Sequence, residues 1–223
     1  MNLKTTWGDW VTLFVWTLPL FYLGYVYPQL PERVAVHFNL KGDPDAWGPR
    51  REMLMAVLLL VVVSLGVGLL SRFLPRIDPK KKVQYSQSTL ARISYALVFF
   101  MSALNIVIIY STLHGRFVMG GRIMFVVISL LFVYLGNQFN SLKPNYFIGI
   151  RTAWTLENET VWRKTHQWGG RLWVAGGLVM AVLTCLLPEG VASVVFLTGT
   201  VCLVLVPIVY SYVCYQQLQR KSI

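Results

Sequence analysis

Six apolar runs, at residues 10–27, 53–70, 93–113, 123–139, 172–187 and 191–215, constrain this chain more than any other feature. Several reach the roughly 18–20 residues that a helix needs to cross a hydrocarbon core of about 30 Å. The fifth is the shortest, and extension back through Trp168, Gly169, Gly170 and Arg171 brings it to spanning length. A composition of 56% hydrophobic and 13% charged residues excludes an ordinary soluble domain. The expectation is an all-α integral membrane protein, a bundle of about six transmembrane helices forming one polytopic domain over residues 1–223. The first run has no small-x-small cleavage site and continues into Tyr27 and Pro28, so it reads as a retained helix rather than a signal peptide.

The formal charge of +11 raises the question of nucleic acid, but its distribution points to topology instead. Of the 20 lysines and arginines, fourteen fall in the two tails and in the connections after the second and fourth runs. The remaining six fall in the other connections. The positive-inside rule then places both termini in the cytoplasm, with residues 141–171 inside and 28–52 outside. No nucleic-acid motif frames the basic residues, so direct nucleic-acid binding is not expected. Lysines 80, 81 and 82 beside the second run suit anionic lipid headgroups. Cys185, Cys202 and Cys214 lie singly in apolar runs and read as packing residues.

In the outer block, Val34, Val36 and Phe38 alternate with Arg33, Ala35 and His37, which predicts a short extended segment. Gly42, Asp43, Pro44 and Asp45 then supply turn chemistry. His37, Asp43 and Asp45 are ligand types that form a candidate outer binding site; three such residues around a turn do not establish a metal centre. Within the runs, Ser94, Ser102 and Asn105 are polar, but no acid, base or histidine sits near the middle of any run. Pumps and ion carriers usually place ionisable groups at that depth.

The longest polar, charge-dense stretch between two apolar runs is NYFIGIRTAWTLENETVWRKTHQWGG, residues 145–170. Its second half reads as a helix capped by Thr155, with Glu157 and Glu159 early and Arg163, Lys164 and His166 late. Helical spacing sets Glu159 against Arg163 and His166, and Trp162 against His166 and Gly169, giving an ionic face beside an aromatic one. Arg151 offers a planar fork for a carboxylate or phosphate, and Trp154, Trp162 and Trp168 offer rigid contact area. The stretch contains no H-E-x-x-H arrangement, and the chain has neither a G-x-S-x-G elbow nor a phosphate loop. No catalytic residue, metal or cofactor is assigned.

This stretch resembles the signature of the SdpI family of bacterial membrane proteins, which runs roughly N-x-x-I-G-I-R-T-P-W-T-L-x-N-E-x-V-W-x-x-T-H. The one clear departure is Ala153, where the family usually has proline. LPERVAVHFNLKGDPDAWG, residues 30–48, is similar to the small domain of unknown function that often precedes the motif. The resemblance implies a multi-pass protein of the bacterial cell membrane that gives immunity to a secreted toxic peptide. It also implies signalling, by holding a soluble transcriptional repressor at the membrane. The motif residues it marks for binding are Asn145, Arg151, Thr152, Trp154, Glu157, Asn158, Glu159, Trp162 and His166, with His37, Asp43 and Asp45 facing the toxin. A membrane transporter or channel is the alternative reading, and a membrane-embedded metal hydrolase ranks below it.

Overall fold

The computed structural model describes residues 6–77, 87–117 and 120–221. The lysines at 80–82 lie outside them. Among the described residues, six helices are long and apolar enough to cross a membrane: α1 (Trp7–Val26), α2 (Arg50–Ile77), α3 (Gln87–His114), α4 (Gly120–Phe139), α6 (Glu159–Leu186) and α7 (Glu189–Lys221). A one-turn helix, α5 (Ala153–Glu157), precedes α6, and two strands, β1 (Arg33–Phe38) and β2 (Pro44–Pro49), precede α2. The chain is an all-α multi-pass membrane protein with one small hairpin added. It divides into two compact units, Met1–Arg72 with Ala91–Gly121, and Phe73–Leu90 with Arg122–Ile223.

In the first unit, α1 starts where Thr6 and Asp9 form a capping box: the Thr6 N–H donates to Asp9 Oδ2 at 2.7 Å, and the Asp9 N–H to Thr6 Oγ1 at 3.4 Å. The Tyr95 hydroxyl of α3 donates to Asp9 Oδ1 at 3.1 Å, tying this cap to a second helix. Further along, the Trp16 indole donates to the Val61 carbonyl at 3.0 Å. Leu23, Val26, Leu30, Val34, Met53, Val57, Val61 and Ile109 then close an apolar core between α1, α2, α3 and the hairpin.

The predicted extended segment is β1, but the alternation of its side chains breaks. Register shifts between Ala35 and Phe38 turn Val34 and Ala35 inward together and leave Val36 exposed. Such a bulge puts two neighbours on one face where a regular strand would separate them. The partner strand β2, with Pro44 and Pro49 at its ends and Gly48 inside, carries no period-2 signal. In the connecting turn, Asn39 Oδ1 accepts from the N–H groups of Lys41 (2.9 Å) and Asp43 (3.1 Å), and Gly42 adopts φ 88°. The hairpin is fastened to the end of α3: Phe117 N–H donates to the Gly42 carbonyl at 2.9 Å, and Thr112 Oγ1 to that of Ala35 at 3.4 Å.

In the second unit, α6 and α7 form an antiparallel pair around Leu187 and Pro188. The Trp173 indole donates to the Leu203 carbonyl at 2.7 Å, and Phe125, Met180, Phe196 and Leu203 form the core between α4, α6 and α7. Helix α4 crosses α6 at glycines. A Cβ on Gly170 would stand 2.7 Å from the Gly136 carbonyl oxygen, and one on Gly177 2.7 Å from that of Ser129. Two contacts seven residues apart on both helices make a close seam, the use that membrane helices have for small residues. The polar end of α4 is split, with Gln138 buried and Asn137 and Asn140 exposed.

Helix α3 buries Ser94, Ser102 and Asn105, and among the described residues neither Ser102 Oγ nor either polar atom of the Asn105 amide has a hydrogen-bond partner. A buried amide without a partner costs on the order of 1–3 kcal/mol. The near-isosteric Asn105→Leu variant is therefore expected to unfold a few degrees higher than the parent in detergent. A lower midpoint would show that Asn105 is satisfied in the folded protein.

Candidate functional site

Between α4 and α5 the backbone leaves the helical ladder over residues 140–152, so its polar groups need partners that helices would otherwise supply. Asn145, fully buried, supplies the first set. Its Oδ1 accepts from the N–H groups of Phe147 and Ile148, both at 2.8 Å, and its Nδ2 donates to the carbonyls of Lys143 (2.9 Å) and Ile148 (3.1 Å). All four hydrogen-bonding positions of one amide are in use. Gly149 follows with φ 112°, a left-handed conformation, and a Cβ there would overlap Nε2 of His166.

His166 supplies the second set, from about two turns into α6. Ile150 N–H donates to His166 Nε2 at 2.9 Å, while His166 Nδ1 lies 2.8 Å from the Trp162 carbonyl. An amide N–H only donates and a carbonyl only accepts, so these partners assign the proton to Nδ1. The ring stacks on Trp162 with centroids 4.0 Å apart and meets Phe139 edge-on at 5.8 Å. Trp162, also buried, donates from its indole to the Leu142 carbonyl at 2.8 Å. The expected stacking of Trp162 and His166 is present, but the expected ionic contact of Glu159 with His166 is not. Both ring nitrogens point to backbone and the ring is buried, whereas Glu159 is exposed.

Thr152 and Thr155 supply the third set. Thr155 does not cap the long helix, as its position in the sequence suggests. It completes a capping box in which Thr152 is the N-cap of α5, and its hydroxyl donates to the Ile150 carbonyl at 2.9 Å. Asn158 is the N-cap of α6, accepting from Thr160 N–H at 2.9 Å and Val161 N–H at 3.1 Å. The fifth spanning helix thus begins at Glu159 and runs 28 residues, absorbing the second half of the motif. Trp154 folds α5 onto α7: its indole donates to Ser211 Oγ at 2.7 Å and its ring lies 5.2 Å from that of Tyr212. Ser211 was invisible from sequence, because nothing in an apolar run marks which serine meets a tryptophan 57 positions earlier.

The residues singled out in the motif therefore separate. Asn145, Thr152, Asn158, Trp162 and His166 fasten the backbone, and Trp154 pins α5 to α7. Arg151, Glu157 and Glu159 are exposed; Arg151 donates back to the Tyr146 carbonyl at 2.5 Å and still presents its guanidinium outward. In the hairpin, His37 Nδ1 meets Asp45 Oδ1 at 2.5 Å, both side chains exposed. Asp43 joins the turn through its main chain instead. Among the described residues, no group of three His, Cys, Asp or Glu side chains converges to hold a metal ion.

Two substitutions test this geometry. His166→Ala removes the acceptor of Ile150 N–H and opens a cavity under Trp162, and is expected to cost about 2–5 kcal/mol in detergent unfolding. A loss below about 1 kcal/mol would contradict the fastening role. Ala153 occupies the first position of α5, where proline is well tolerated, and Thr152 before it is already extended at φ −116°, ψ 163°. Ala153→Pro should accordingly stabilise the protein by about 0.4–1 kcal/mol, and marked destabilisation would contradict the observed cap.

The model of the SdpI/YfhL protein family matches residues 141–211, which takes in α5, α6 and α7 as far as Ser211. A domain of unknown function, DUF1648, matches residues 14–63, covering most of α1, the hairpin and the start of α2. The chain is similar to the Immunity protein SdpI of Bacillus subtilis (strain 168), 29% identical over 91 residues. That segment is 41% of this chain and 44% of the relative, so the chain aligns with less than half of that protein's length. No solved structure matches. The first match ends at the serine that anchors Trp154, and it takes in the loop motif from Asn145 onward, so over residues 141–211 the chain is similar to the SdpI/YfhL protein family.

Proposed function

We propose that this protein is an immunity and signalling protein of the bacterial cell membrane, protecting against a secreted toxic peptide and holding a soluble transcriptional repressor at the membrane. The match of residues 141–211 to the SdpI/YfhL family model and the likeness to a protein named for immunity support an immunity-type function. The observation that carries the finer reading is the division of labour within the motif: its buried members hold a loop rigid, and the loop and adjoining helix ends display Arg151, Glu157 and Glu159. A rigid mount for exposed charges is a recognition surface, in which a pre-formed shape lowers the ordering cost of binding. The engagement of both His166 nitrogens with backbone speaks against the hydrolase reading, since neither is open for a metal or a proton-transfer step.

In this reading both termini and residues 141–171 are cytoplasmic and the 28–52 block is outside, as the sorting of lysine and arginine favours. The hairpin, with His37 and Asp45 paired and Asp43 in its turn, is the toxin-facing element. The transporter reading keeps one supporting observation, the unpartnered Ser102 and Asn105 on the buried face of α3.

The test is protection. Sensitive bacteria expressing the protein, with insertion verified, are challenged with a membrane-active peptide from the source strain. The parent is expected to protect, and Arg151→Ala and Glu159→Ala to lose most of that protection while inserting normally. Full protection by both variants would remove the exposed motif charges from the function. Absence of protection by the parent, together with solute flux into proteoliposomes, would establish transport instead.

A further inference from the structure

From Thr160 to Pro188 the chain contains no acidic residue, and the cations it does contain fall on one side of α6. Arg163, Lys164, Gln167 and Arg171 are all exposed and lie within an arc of about 100° at helical spacing. The opposite side carries the buried Trp162, His166 and Gly169. The same exposed arc continues toward the far end of the helix as Ala175, Leu178 and Val182, with Leu178 and Val182 about half exposed. One face thus changes along its length from wholly basic and polar to wholly apolar.

The depth of that change follows from the α6–α7 pair. Counting a hydrocarbon core of about 30 Å back from the closed end at Leu187 reaches roughly residue 167 on α6. The same distance forward from Val191 reaches roughly residue 211 on α7. The two counts describe one level, because Trp168 stacks on Tyr210 with centroids 4.5 Å apart. Trp154, Tyr210 and Tyr212 gather at this level, as aromatic residues do at a membrane boundary. Arg171 then starts about 6 Å inside the boundary and reaches out along its stem, while Arg163 and Lys164 start about 5–6 Å outside it. All three cations reach the headgroup layer.

We infer that this face of α6 is a binding strip for an anionic phospholipid, its phosphate held by Arg163, Lys164 and Arg171 and its acyl chains lying along Leu178 and Val182. A soluble acidic partner would match the cations but not the apolar continuation. The inference does not depend on the immunity reading.

Native mass spectrometry of the full chain, released from micelles containing equal phosphatidylglycerol and phosphatidylcholine, tests it. The parent is expected to carry phosphatidylglycerol in an excess on the order of a hundredfold, the product of about fivefold for each of the three charges. Each of Arg163→Gln, Lys164→Gln and Arg171→Gln should weaken the preference about fivefold, the equivalent of about 1 kcal/mol per charge. The triple variant should show no preference; if it fails to insert, the single variants carry the test. Soluble glycerol phosphate is expected not to compete. The proposal is overturned if the parent shows no preference, if the triple variant keeps it, or if glycerol phosphate displaces the lipid. Binding of poly-glutamate with no lipid preference would overturn it in favour of a soluble partner.

Discussion

A chain that leaves the helix at the edge of a membrane must find a hydrogen-bond partner for every backbone group it exposes, and that constraint organises the second unit. Unpaired amides in or near lipid cost several kcal/mol each, so irregular backbone survives there only when side chains supply the missing partners. Asn145, His166 and Thr155 do so for residues 147–152, from three different places in the fold. Trp162 adds the Leu142 carbonyl and Asn158 the first N–H groups of α6. The polar residues of the motif thus divide: Asn145, Thr152, Thr155, Asn158 and His166 are committed to this task, and Arg151, Glu157, Glu159, Arg163, Lys164 and Gln167 face outward.

The same account explains why much of the fold was legible and part of the site was not. Helices that must cross lipid announce themselves by length and apolarity, and all six runs became spanning helices. The fifth looked short only because its first turns carry Glu159, Arg163, Lys164 and His166, which read as loop chemistry. Sequence spacing put Trp162 and His166 together correctly, since both lie on one helix. It could not say that this face is turned inward, because a histidine beside arginine and lysine reads as part of a charged face. The helix cap was misplaced by three residues because Thr155 and Asn158 are both good caps, and only the α5 turn between them decides which is used. The β2 strand and Ser211 left no local trace at all: each is defined by a partner distant in the chain.

In this chain, the division gives the motif a physical meaning. Asn145, Gly149, Thr152, Thr155, Trp162 and His166 are the fasteners, and Arg151, Glu157 and Glu159 are what the fastened loop and the adjoining helix ends present. The usual proline corresponds to Ala153, at a position whose conformation the Thr152 cap already imposes, so its loss here leaves the loop in place. In the first unit the hairpin is held by the Phe117 N–H just past α3 and by the Thr112 hydroxyl in its last turn, which presents the His37–Asp45 pair on a supported turn rather than on a free loop.

The histidine at the centre of the fastened loop offers the most direct measurement. Nitrogen NMR of His166 in the micelle-embedded protein, with ring nitrogens labelled, reads which nitrogen carries the proton. The structure predicts the Nδ1–H form, with Nε2 shifted as a hydrogen-bond acceptor and coupled to the Ile150 amide. A proton on Nε2 would contradict the account, since Ile150 would then have no acceptor and the loop that displays Arg151 would have to be held by something else.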